Sequence, residues 1–150
     1  MPSIRFFIPG EPLAQPRPRA TARMIGKRAV ARVYNPSGKT RDLKDAIRQE
    51  ALRVHRGGLP VHGARPSHLR IEFRMPRPKR KVWKTKPMPR EPHTAKPDLD
   101  NMEKLVMDAL EGVLWKNDSQ VASKSSVKFI CEGSESPGIF VESSEFEFGY

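Results

Sequence analysis

Three aspartates and a lysine stand close together in residues 96–121, KPDLDNMEKLVMDALEGVLWKNDSQV: Asp98, Asp100, Lys104 and Asp118. In an extended segment, Asp98 and Asp100 would send their carboxylates to the same side. Two carboxylates so close raise each other's pKa unless a cation lies between them. Mg²⁺ or the ammonium of Lys104 would serve. Mg²⁺ takes oxygen ligands, keeps several waters and is commonly held by one or two carboxylates together with substrate phosphate oxygens. A small aspartate cluster in a basic protein therefore suits the cutting of a phosphodiester. Asp118 supplies a further carboxylate after a helix and one short turn, and Lys104 would steady charge building on the phosphate. The competing structural reading makes Asp100 a helix cap and pairs Lys104 with Asp100 or Asp108, worth about 0.3–0.5 kcal/mol. A cap accounts for one aspartate and leaves Asp98 without a role.

These residues need a scaffold, and hydrophobic periodicity supplies one. Met102, Leu105, Val106, Ala109, Leu110 and Val113 follow the helical period, with Asp100 or Asn101 as N-cap and Gly112 as the stop. Thr40 caps a second helix running to about His55, with Leu43, Ile47, Ala51 and Val54 as its apolar stripe. Strands are expected at Ser3–Ile8, weakly at Ala29–Tyr34, most clearly at His68–Met75, and at Val121–Cys131 and Ile139–Phe148. Phe146, Phe148 and Tyr150 would share one face of the last segment. Turns fall at Asn35-Pro36-Ser37-Gly38 and Gly133–Gly138. The expected fold is one α/β (α+β) domain spanning 1–150, a mixed β-sheet with two main helices, which suits a chain of 150 residues. His55, His62 and His68 lack a second ligand at a metal spacing and are read as surface histidines.

Charge points to the substrate. The 28 Lys and Arg against 17 Asp and Glu give a formal net charge of +11, which indicates a polyanionic partner such as nucleic acid. No basic residue follows Lys128, so the C-terminal segment should face away from that partner. Two basic loops are expected, at 12–28 and 76–92. The first carries Arg17 and Arg19 between prolines that stiffen it for phosphate contact. The second carries Lys79, Arg80, Lys81, Lys84 and Lys86, among others, and reads as a mobile loop that orders on a phosphate backbone. Trp83 within it either stacks on an unpaired base or folds back on the domain. Cys131 is the only cysteine, so no intrachain disulfide forms and a reducing cytoplasm fits best. The short apolar run Phe6-Phe7-Ile8 argues against a signal peptide or a membrane span.

PDLDN followed by Lys104, then MDALEG and WKNDSQV, closely resembles the signature of the RusA family of Holliday-junction resolvases. The N-terminal strand, the Pro16-Arg17-Pro18-Arg19 arm, the Tyr34-Asn35-Pro36 turn and Met75-Pro76-Arg77-Pro78 extend the likeness over most of the chain. The resemblance implies a small dimeric Mg²⁺-dependent endonuclease (Mn²⁺ substituting), with Asp98, Asp100 and Asp118 on the metal and Lys104 as the essential lysine. It also implies a homodimer on branched DNA, namely a four-way junction, in the cytoplasm of a bacterial cell or phage-infected host, with no membrane partner and no small-molecule cofactor. Arg17, Arg19, Lys96, Lys116 and the 79–86 cations would grip DNA. Two departures stand out. Asn117 occupies a place where members often have aspartate, and Pro97 a place where some have arginine, which leaves any phosphate contact there to Lys96. The other readings are a nuclease for forks or flaps and a junction-binding protein that does not cut.

Overall fold

Strand His68–Met75 behaves as its alternation requires, and the sheet is assembled around it. A computed structural model describes residues 3–16, 19–25, 28–34 and 38–149; the side chains of 17–37 lie outside that description. Leu69, Ile71, Phe73 and Met75 are buried, while Arg70, Glu72 and Arg74 point to the other face. This strand is β4 (Ser67–Met75), and the chain order is β1 (Ser3–Pro9), β2 (Arg19–Ile25), β3 (Arg28–Tyr34), α1 (Gly38–Val54), β4, β5 (Glu91–Pro92), α2 (Leu99–Leu110), β6 (Val121–Ile130) and β7 (Gly138–Glu145). Five strands form a mixed sheet in the order β1-β7-β4-β6-β5, and β2 and β3 form a separate pair. The expected mixed sheet with two helices is what the chain builds.

β4 and β6 are parallel, with Leu69 opposite Lys124 and Phe73 opposite Lys128, while β7 runs antiparallel to both β4 and β1. A parallel pair needs a long crossover. Here the 45 residues between Met75 and Val121 make it, and they contain every residue singled out for chemistry except the N-terminal arm. α1 and α2 cover one face of the sheet. Between them and the sheet lies the core of Ile4, Phe6, Ile8, Ile47, Leu69, Phe73, Leu105, Leu110 and Trp115, among others. The open face carries Arg5, Glu142, Arg70, Glu72 and Arg74 in ion pairs, with Arg74 over the rings of Phe7 and Phe140.

Several expectations are corrected. α1 begins at Gly38, two residues before Thr40, and Val54 is exposed rather than part of its buried stripe. The helix expected from Met102 starts at Leu99 with Asp98 at the cap position. Residues 19–25, read as part of a basic loop, are strand β2, paired from Arg19↔Tyr34 to Ile25↔Arg28; one alternating partner, β3, is enough to recruit Ala20–Ile25. Arg17 lies outside the described residues, and of Arg19 only the strand is described. β7 ends at Glu145, so Phe146 and Phe148 pack ring edge to face beyond it instead of forming a strand face. Among the described residues no helix is long and apolar enough to cross a membrane.

His62 is the largest correction among the histidines. It is fully buried, its Nε2 lies 2.8 Å from Ser143 Oγ, and that hydroxyl donates to the His68 carbonyl. Nε2 is therefore the protonated donor and Nδ1 has no partner. Burial pushes the His62 pKa down, Glu145 pulls the other way, and Arg65 and His55 add to the lowering. His55 and His68 are half-buried, bonded to the Gly58 carbonyl and Ser123 Oγ.

Because the folded protein keeps His62 neutral while the unfolded chain takes a proton near pH 6.5, stability should be constant above that pH and fall below it. Urea unfolding at pH 7.5 and 5.5 should show a loss of no more than about 1.4 kcal/mol per pH unit from this group. His62→Gln, which keeps a donor for Ser143, should reduce the pH dependence.

Candidate active site

Asp98 is the N-cap residue of α2, with an extended backbone (φ −71°, ψ 140°), but its side chain makes no capping hydrogen bond. Asp100 is the second residue of the helix, so the same-side argument for an extended pair does not apply; the two carboxylates instead share the first turn of α2, where the helix dipole favours negative charge. Both are exposed, and among the described residues neither has a hydrogen bond or ion pair. Lys104, one turn further along, is also exposed and unpaired among the described residues. Its expected partner Asp108 faces Lys44 of α1 instead, at 3.7 Å. Capping and surface pairing thus explain none of the three.

Asp118 is positioned by the WKNDSQV segment. Gly112, at φ 84°, ends α2 and donates to the Trp115 carbonyl, which tucks the Trp115 ring into the core at 0% exposure. The indole Nε1 donates to Asp118 Oδ1 at 2.7 Å. Asp118 opens a short 3₁₀ turn, Asp118–Gln120, capped by Asn117, whose side chain accepts from the Ser119 amide at 3.0 Å. Gln120 closes the box: its Oε1 accepts from the Lys116 and Asn117 amides, and its Nε2 donates to the Gly63 and Arg65 carbonyls. Asp118 therefore has one oriented oxygen and one without a partner among the described residues.

β6 fixes the start of α2. Lys124 pairs with buried Glu103 at 2.8 Å, and Lys128 Nζ donates to the Ala95 and Pro97 carbonyls at 2.7 Å each. The far end of α2 is held by α1, where Arg48 Nε donates to the Ala109 carbonyl. Beside Asp98 an open cleft of about 560 Å³ is lined by Ala14, Gln15, Lys96, Pro97, Asp98 and Asn101. The Gln15 amide donates to the Asn101 carbonyl, tying the N-terminal arm to α2.

Asp98 and Asp100 lie two residues apart in the first turn of α2, with Lys104 one turn further along and Lys96 before them in sequence, while Asp118 and Lys116 follow the other end of the helix. Among the described residues no three His, Cys, Asp or Glu side chains converge on one point as a closed metal site. The donors fit a hard, hydrated divalent cation in other respects. Among the described residues the Asp98 and Asp100 carboxylates have no hydrogen bond or ion pair, and Asp118 has one oxygen held by the Trp115 indole.

The 76–92 loop, expected to be mobile, is anchored at its base. Arg77, 6% exposed, donates to the Lys81, Pro89 and Cys131 carbonyls and to Glu91. Lys81 also reaches Glu91, at 3.0 Å, so it is engaged within the loop. A buried guanidinium can staple a proline-rich loop because it has five donors to distribute. Lys79, Arg80, Lys84 and Lys86 remain exposed and free of ion pairs among the described residues.

A model of the family described as endodeoxyribonuclease RusA matches residues 9–142. The chain belongs to the RusA endodeoxyribonuclease family. RusA-family proteins are Holliday-junction endonucleases and generally depend on a divalent metal. A Bacillus subtilis (strain 168) protein, "Uncharacterized protein YqaN", is 34% identical over 136 residues, covering 88% of this chain and 91% of the relative. Asn117, the position that departs from the RusA pattern, is the cap of the Asp118 turn, and aspartate caps such a turn equally well.

Sequence reasoning missed the supporting residues Trp115, Gln120 and Lys128. Lys128 had a signal: with Phe73 opposite it in register, it sits on the core-facing side of β6, where a lysine needs acceptors.

Trp115→Phe should keep the protein folded, with a lower melting temperature, and cost about 10- to 100-fold in cleavage through loss of the Asp118 hydrogen bond. Asn117→Asp should leave both within error, since either residue caps; circular-dichroism melts and a junction-cleavage assay check the pair.

Proposed function

We propose that this endonuclease resolves four-way DNA junctions by paired, symmetric nicks, acting in the cytoplasm as a homodimer that sets one site on each of two strands. Asp98, Asp100 and Asp118 would hold Mg²⁺, with Mn²⁺ able to replace it. When bound, the ion supplies an activated water and counter-charge for the phosphate. The chain's own residues do the rest. Lys104, on the turn after Asp100, offers an ammonium to the negative charge that develops on the phosphate. Lys96 on the cleft wall and Lys116 on the Asp118 turn bind the flanking backbone, and Arg17, Arg19, Lys79, Arg80, Lys84 and Lys86 grip the arms; Lys81 joins them on leaving Glu91.

The observation that carries this reading is that Asp98, Asp100 and Lys104, within the first half of α2, stand exposed with no hydrogen bond or ion pair among the described residues, although Asp108 lies within reach in sequence. Charged side chains left exposed and unpaired are suited to an ionic substrate and its counter-ion.

Labelled four-way, three-way and linear DNA, incubated with Mg²⁺ and either the wild type or Asp100→Asn, tests it. The wild type should place paired symmetric nicks in the four-way junction. The variant should be slower by more than the roughly 10- to 100-fold that losing an outer-shell partner costs. Equal cleavage by both proteins overturns the assignment, and faster cutting of three-way DNA moves the substrate to other branched structures.

A further inference from the structure

The basic loop holds one side chain that phosphate contact does not explain. Trp83 is 37% exposed, follows exposed Val82, and sits among lysines. An exposed tryptophan on a surface loop normally folds down onto apolar neighbours. Two cations stand near the Trp83 ring: the Arg77 guanidinium carbon lies 5.4 Å from its centroid and the Lys86 ammonium 5.8 Å. The two are held very differently. Arg77 is fixed by three carbonyls and Glu91, whereas Lys86 has no hydrogen bond or ion pair among the described residues. The Trp83 backbone is pinned too, its amide lying 3.3 Å from Met88 Sδ.

We propose that Trp83 is a stacking platform for an unpaired nucleobase of branched DNA, a role that rests on the nuclease reading above. A base entering over the ring displaces Lys86, whose ammonium then pairs with that nucleotide's phosphate. Arg77 stays in place and keeps the indole from turning away. Base–aromatic stacking tolerates any base and is lost when the ring is removed, while lysine–phosphate contact is shared by paired and unpaired DNA. The loop thereby distinguishes a branch point from an intact duplex, which offers phosphates and no free base face.

The test measures affinity with Mg²⁺ replaced by EDTA, so that no strand is cut, for a four-way junction carrying 2-aminopurine beside the crossover, a single-stranded oligonucleotide and a linear duplex. Trp83→Ala should weaken junction and single-strand binding by about 5- to 150-fold, leave duplex binding unchanged and abolish the 2-aminopurine response; Trp83→Phe should restore part of each. Trp115 is buried, so quenching of the exposed tryptophan on binding reports on Trp83 independently. Equal junction affinity in wild type and Trp83→Ala overturns the proposal, as does a loss shared equally by duplex and junction, which would make the ring a prop for the loop. If the wild type shows no preference for the junction over duplex, the junction reading fails, and the single-strand result still decides whether Trp83 stacks.

Discussion

The parallel pairing of β4 with β6 is the constraint on which the rest of this molecule depends. A chain leaving β4 at Met75 must travel back the length of the sheet before it can enter β6 at Val121, beside Ser67. Nature's usual solution is a helix laid across one face. α2 is that helix, and its six buried residues bind it there. The return path also has to pass both ends of the helix, and those ends are where the aspartates lie. The basic loop is the outbound part of the same journey. A requirement of strand pairing has thereby collected the acidic pair, the lysine, the third aspartate and the loop cations into a single connection.

Charged groups with specific partners, buried or partly so, fix this connection. Glu103 meets Lys124, Lys128 reaches two carbonyls, and Arg77 reaches three carbonyls and Glu91. Each would be costly to bury alone and is tolerable because its partners are arranged around it. Such pairs add little net stability, but they demand one geometry: an apolar contact tolerates sliding, whereas a guanidinium with four acceptors does not. This suits a segment whose carboxylates must stand in fixed relation to a DNA backbone.

The stripe of α2, the alternation of β4 and the mixed sheet were legible because period-3.6 and period-2 burial are local properties. The acidic pair was legible for the same reason. The role of Asp98 as cap residue was not, since a helix start is set as much by where Lys128 holds the preceding carbonyls as by the propensity of Asp100 or Asn101. The β2–β3 pair depends on a partner strand that a basic, proline-rich stretch gave little reason to expect. His62 looked like a surface residue because its hydroxyl partner, Ser143, is 81 residues away. Arg77 was indistinguishable in sequence from the cations around it, although its side chain is far more buried than theirs.

The clamp at the foot of the 76–92 loop separates two kinds of change. Arg77 closes the loop against Lys81, Pro89 and Cys131, and the Met88 carbonyl accepts from the Gly133 amide, so residues 82–88 hang from an anchored base. Changes confined to their outer residues fall on the far side of that base from the aspartates. A lineage could therefore retune which DNA shapes it accepts while its cutting chemistry stays intact, much as a tool changes its grip and keeps its blade.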